Sequence, residues 1–99
     1  MNMQAMLKQA QALQKDMLKE QEKINSTIFE GESSLVKVKV NGKKELLEVI
    51  IDKSDNMDAD DLEALQDMIM LAVNDAMKKV DKMTNEKMGK FANGMPGLF

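Results

Sequence analysis

The segment Val36-Lys37-Val38-Lys39-Val40 constrains the fold more than any other five residues of the chain. Strict alternation of a β-branched residue with lysine has the period of an extended strand, with one apolar and one charged face. Asn41-Gly42 follows and is expected to supply the positive backbone angles of a tight hairpin. Leu47, Val49 and Ile51 then read as the apolar side of a returning strand, and Thr27-Ile28-Phe29-Glu30-Gly31 as a short strand before the valines. Links this short join antiparallel neighbours, which predicts a three-stranded β-meander. Its apolar face has to be covered by helix.

On either side of the strands the apolar period is helical. Met3, Met6, Ala10, Leu13, Met17 and Ile24 keep a three-and-four spacing through residues 3–24, with Leu7 on the flank and only Glu20 interrupting. At 100° per residue, Lys8, Lys15, Lys19 and Lys23 gather on the opposite side within about 80°. Such a helix is more than about 30 Å long, more than one small domain covers. A second helix begins near Asp58, which can cap free amides, and Asp60, Asp61 and Glu63 suit the positive end of its dipole. Its stripe is Leu62, Leu65, Ile69, Ala72, Val73, Ala76, Val80 and Met83. Leu71 projects almost opposite that stripe, and Met68 and Met70 lie to its two sides. One sheet cannot cover all these directions, so Leu71, Met68 and Met70 are candidates for an interface with another subunit.

From Met88 onward, three glycines and Pro96 are expected to prevent the helix from continuing, which leaves residues 88–99 as a glycine-rich tail. Phe91, Met95, Leu98 and Phe99 have no use in a solvated end, so the tail is expected to dock as a clasp. Residues 1–99 form one domain without internal repeat or linker. The fold class is α+β: long N-terminal helix, three-stranded antiparallel meander, long C-terminal helix and apolar tail.

The missing residue types limit chemistry. The chain has no His, Cys, Tyr or Trp, and all 14 basic residues are lysine. A nucleophile–base pair of the usual kind cannot be assembled, and borderline metals lack their preferred nitrogen and sulfur ligands. No glycine-rich phosphate-binding signature occurs. Neither an enzyme nor a cofactor, metal or small-molecule substrate is expected. Lys8 interrupts the N-terminal apolar pattern and no run approaches transmembrane length, so the expectation is a soluble cytoplasmic protein.

Net charge is −3, unevenly placed. Residues 1–44 carry eight lysines against five acids, residues 45–75 one lysine against ten acids, and residues 76–99 five lysines against two acids. Two basic zones thus surround an acidic middle. Lysines on a solvated helix face and near a helix C-terminus have structural explanations. They also suit phosphate contact, where lysine acts as a compact point charge. Without arginine the commonest bidentate contact to guanine is missing, which disfavours specific base readout.

Order and motifs together resemble the YbaB/EbfC family of bacterial nucleoid-associated proteins. The resemblance rests on Gln4-Ala5-Met6-Leu7-Lys8-Gln9-Ala10-Gln11, Leu35-Val36-Lys37-Val38, Asn41-Gly42-Lys43, Ala72-Val73-Asn74-Asp75-Ala76, Lys78-Lys79, Met88-Gly89-Lys90 and Gly94-Met95-Pro96-Gly97-Leu98-Phe99. Two departures stand out: Glu32-Ser33-Ser34 replaces a glycine-rich turn, and Ala59 stands where a helix-starting proline is common. The resemblance implies a homodimer with projecting helical arms, DNA binding with limited sequence preference, and a role in nucleoid organisation or gene expression. Lys8, Lys15, Lys19 and Lys23 are the leading phosphate contacts, with Lys78, Lys79 and Lys82 assisting and Lys37 and Lys39 secondary. The alternative is a protein-interaction dimer without useful DNA binding, its methionine-rich surface adapting to a partner.

Overall fold

The computed structural model describes residues 2–52 and 58–94. Asn2 opens the first helix, α1 (Met3–Ser26), its side-chain oxygen accepting from the Gln4 amide at 3.1 Å. Ser26 and Thr27 close it by donating their hydroxyls to the carbonyls of Glu22 and Lys23, at 3.0 and 2.6 Å. Such hydroxyl bonds satisfy carbonyls that a helix end otherwise leaves open. The strands β1 (Phe29–Ser33), β2 (Val36–Val40) and β3 (Leu46–Ile51) follow, then α2 (Ala59–Gly94). Asp58 Oδ1 accepts from the Asp61 amide at 3.0 Å, while Asp61 Oδ2 accepts from the Asp58 amide at 2.9 Å. This reciprocal cap fixes where α2 begins.

The sheet is antiparallel in the order β1-β2-β3, as the alternation predicts. Its details differ from the sequence reading in three places. The first strand lies two residues later than Thr27–Gly31, because Phe29 and Gly31 must pair with Val40 and Val38 to face the helix. A bulge between Lys39 and Val40 sets Leu46, not Leu47, opposite Val40, so the inward row is Leu46, Val49 and Ile51. The hairpin's positive φ belongs to Lys44 (63°) rather than to Asn41-Gly42. Asn41 organises that wider turn: its Oδ1 accepts from the amides of Lys43 and Glu45, both at 3.0 Å. Gly42 is needed for space, since a Cβ there would lie 1.9 Å from the Ile24 carbonyl oxygen.

Packing centres on α2. Ala72, Ala76 and Val80 bury against Phe29, Val36, Val38 and Val40, with Leu65, Met68, Ile69, Val73, Met77 and Met83 half-buried around them. Leu62, the first residue of the expected stripe, lies beyond this contact and is exposed. Gly31 sets the depth of the seam: an added Cβ would fall 2.1 Å from the Ala72 carbonyl oxygen and 2.6 Å from the Ala76 nitrogen. The helix lies over β1 and β2 and leaves β3 uncovered. Every residue of β3 is exposed, although Val49 and Ile51 pair with valines that are fully buried.

The expected break at Met88 does not occur. The helix continues through Gly89 to Gly94, because Met88 and Phe91 bury against Ile24 of α1, beside Leu13 and Met17. Tertiary burial outweighs the roughly 1 kcal/mol helix cost of one glycine. Gly89 itself sits on the open side, where nothing approaches within 4 Å. Met95, Leu98 and Phe99 of the expected tail lie outside the described residues. Met83 touches both clusters, so α2 rests first on the sheet and then, running antiparallel, on the C-terminal half of α1. The chain is elongated, 73 × 20 × 13 Å, with a radius of gyration of 19.9 Å against about 13 Å for a compact chain of this length.

Candidate nucleic-acid interface

The apolar seam of α1 faces α2, which turns Lys8, Lys15, Lys19 and Lys23 to solvent, and all four are exposed. They span about 22 Å of helix. Among the described residues Lys8, Lys15 and Lys19 enter no ion pair. Lys23 lies 3.9 Å from Glu20, a weak pairing given its exposure.

The second candidate set divides. Lys78 and Lys82, one turn apart on the outer face of α2, are exposed and likewise enter no ion pair among the described residues. Lys79 is engaged: its ammonium donates to the Glu30 carbonyl at 2.7 Å and lies 3.6 Å from Asp75. Asp75 in turn accepts from the Glu32 amide at 3.2 Å, so the pair pins β1 to the helix. The α1 stripe and the Lys78–Lys82 face are not brought together. Lys8 and Lys15 lie clear of the contact between the helices, Lys19 and Lys23 edge it, and Lys78 and Lys82 lie on the outer face of α2. On the outer face of the sheet, Lys39 pairs with Glu48 at 3.7 Å and Lys37 stands opposite Ile50.

Lys90, counted in the C-terminal basic zone but not among the candidate contacts, has a defined place. Lys90 lies 3.7 Å from Glu20 and 5.0 Å from the centre of the Phe91 ring. With Lys19 and Lys23 it edges a cleft of about 400 Å³ between the helices, whose other walls are Leu13, Asp16, Glu20 and Phe91. Its signal was hidden by the glycines around it, which argued for a broken chain instead of a helix face.

Of the interface candidates, Met68 packs against the chain's own core, on the β1 side of α2, while Met70 and Leu71 are exposed. Lys44 of the β2–β3 turn meets Asp81 at 2.7 Å, which identifies the β3 side of α2. At 100° per residue Met70, Val73 and Met77 lie on that side. They continue the apolar row of Leu46, Val49 and Ile51 onto the helix. Among the described residues no helix is long and apolar enough to cross a membrane, and no group of His, Cys, Asp or Glu could hold a metal ion.

The fold and its lysines define an α+β module that presents basic helical faces on an elongated frame. The family model of the YbaB/EbfC DNA-binding family matches residues 1–95. A nucleoid-associated protein of Bacillus licheniformis is 54% identical over 102 residues, covering 99% of this chain and 94% of that one. A nucleoid-associated protein of Ligilactobacillus salivarius is 48% identical over 100 residues, covering 99% and 95%. Among solved structures, an uncharacterised protein of Helicobacter pylori superposes with a TM-score of 0.68 at 30% identity, over 98% of this chain and 99% of that one. The chain belongs to the YbaB/EbfC DNA-binding family.

Proposed function

We propose that the protein binds duplex DNA as a homodimer with limited sequence preference, as a cytoplasmic nucleoid-associated protein that organises the nucleoid or regulates genes. The observation that carries this reading is the α1 stripe. Lys8, Lys15 and Lys19 are exposed on one face of a projecting helix and have no acidic partner among the described residues. Lysines free of internal partners can neutralise phosphates and release condensed counterions. Such contacts hold a protein on a duplex without reading bases. Lys78 and Lys82 serve a second segment of DNA or a neighbouring molecule, since they face away from the stripe.

Surface area supports the dimer. A folded 11.1 kDa monomer exposes about 5,700 Å², and this chain exposes 7499 Å². The excess of about 1,800 Å² exceeds one partner's share of a standard interface, about 800 Å². The proposed interface is the uncovered inner row of β3 with Met70; Leu71 points instead to the outer face that carries Lys78 and Lys82. Val49→Asp would place a charge in that row and is expected to convert the dimer to monomer by analytical ultracentrifugation. A wild-type mass that stays monomeric at every concentration would contradict the dimer.

The direct test is duplex binding measured across salt for wild type and for a variant in which Lys8, Lys15, Lys19 and Lys23 are all changed to Glu. Wild-type affinity is expected to fall steeply with salt, and the variant is expected to lose binding while remaining dimeric. Unchanged affinity in the variant removes the residue assignment. No wild-type binding even at low ionic strength favours a protein-interaction dimer instead.

A further inference from the structure

We propose that the segment Met95-Pro96-Gly97-Leu98-Phe99 of each chain packs on the N-terminal half of its own α1, over Met3, Met6 and Leu7. These three residues, close together at the start of α1, are exposed by 82%, 53% and 60%. With Gln4 they line a shallow apolar concavity of about 460 Å³. Three large apolar side chains within five residues of solvated helix need a cover, and α2 does not reach them.

The position and direction of α2 select the occupant. Ile24 of α1 lies at the turn of Gly42, and Asp81 of α2 lies at the same turn through Lys44. Ten residues further along α2, Phe91 lies beside Leu13 and Glu20 of α1. Hence α2 advances toward the N-terminus of α1 and carries Gly94 roughly level with Gln14 or beyond. Met6 and Met3 then lie about 12 and 16 Å ahead. Five extended residues span about 16 Å, enough to lay Leu98 and Phe99 on the patch. Pro96 donates no amide and favours the extended conformation needed here. The segment carries no charged side chain, and neither do Met3, Gln4, Met6 and Leu7. A docked segment completes the seam on the side opposite the lysine stripe, so it stiffens the projecting arm without occupying the basic face.

The chain has eleven methionines and no cysteine, which supplies both the probes and the label site. A nitroxide is attached to Gly97→Cys in the full-length protein, and the methionine methyl signals are recorded by NMR with the nitroxide oxidised and then reduced. The expected result is selective loss of the Met3 and Met6 signals in the oxidised state, with Met70 retained. Changing Leu98 and Phe99 to Ala in the same chain should restore both signals while leaving the far-ultraviolet circular dichroism unchanged. Retention of Met3 and Met6 in the oxidised protein overturns the proposal. A mixed sample, with nitroxide on one set of chains and isotope on the other, gives the second reading. Retention of Met3 and Met6 in the mixed sample assigns the segment to its own helix, whereas their loss there assigns it to the partner subunit and overturns the proposal. None of these readouts involves DNA.

Discussion

The contrast between Lys19 and Lys79 gives the sharpest test of the phosphate assignment. Both were candidates by charge, but the structure leaves Lys19 without an ion-pair partner among the described residues and commits Lys79 to the Glu30 carbonyl and Asp75. Each phosphate neutralised contributes about 0.9 to the slope of log affinity against log salt. Lys19→Gln should therefore lower that slope by about 0.9 for each copy on the duplex, or about 1.8 for a dimer using both. Between about 50 and 200 mM salt, the ratio of wild-type to variant affinity should shrink about 3.5-fold for one contact and about 12-fold for two. Lys79 must give up a charge-assisted hydrogen bond, worth about 1.5–3 kcal/mol, before it can reach a phosphate. Lys79→Gln should leave the slope within error of wild type and appear instead as a small loss of thermal stability. The assay is fluorescence anisotropy of a labelled duplex at several salt concentrations, with melting curves on the same samples. A slope change for Lys79→Gln equal to that for Lys19→Gln would refute the claim that internal engagement removes a lysine from the DNA face. An unchanged slope for Lys19→Gln would remove the α1 stripe.

Gly31, packed against α2, and Gly89, on the open side within it, predict opposite signs. Gly31→Ala forces β1 away from Ala72 and Ala76 and should cost about 3 kcal/mol, the upper end for overpacking, read by urea unfolding. Gly89→Ala adds a methyl to open space inside a helix and should stabilise by about 0.5–1 kcal/mol, read as a raised melting temperature. Phe91→Ala empties the small cluster of Ile24 and Met88 and should cost about 3 kcal/mol, with hydrogen exchange accelerated in α1 more than in β2. Equal acceleration in both would show that the helix pair and the sheet unfold as one unit.

Element order was legible in the sequence because it follows from apolar periods of 3.6 and 2, which depend only on local geometry. Asp58 as a cap and Val36, Val38 and Val40 as a buried row were legible on the same ground. The bulge at Lys39 and Val40 was not, because it is set by a turn in which Lys44 adopts φ 63° while Gly42 is occupied with clearing Ile24. Nor was the length of α2. The glycines after Met88 signal termination locally, and only the contact of Phe91 with α1, some seventy residues earlier in the chain, reverses that signal. For the candidate site, the α1 stripe was readable as a sector of one helix. The divergence of the two basic faces, the internal engagement of Lys79 and the position of Lys90 beside Glu20 and Phe91 required knowing which neighbour each helix meets.

Geometry also explains why the acidic composition, with pI near 4.9, is a poor guide to this molecule. The acids that lower the isoelectric point concentrate at the start of α2, in Asp58, Asp60, Asp61, Glu63 and Asp67. Lys19 sits level with the region of Phe91, about thirty residues along the same helix from Asp61. That separation is about 45 Å at the helical rise, and Lys8 lies further still because α1 projects onward. The screening length at physiological salt is about 8 Å, so the acidic end and the basic arm act as electrostatically separate surfaces. A rigid helix 36 residues long is what keeps them apart. A phosphate at the arm meets the local field of Lys8, Lys15, Lys19 and Lys23 with their neighbours Asp16, Glu20 and Glu22, not the net charge of −3. The long α2 thus has two physical roles: it supplies the apolar seam for the sheet and for α1, and it places the acids of its own first turns where they cannot neutralise the stripe.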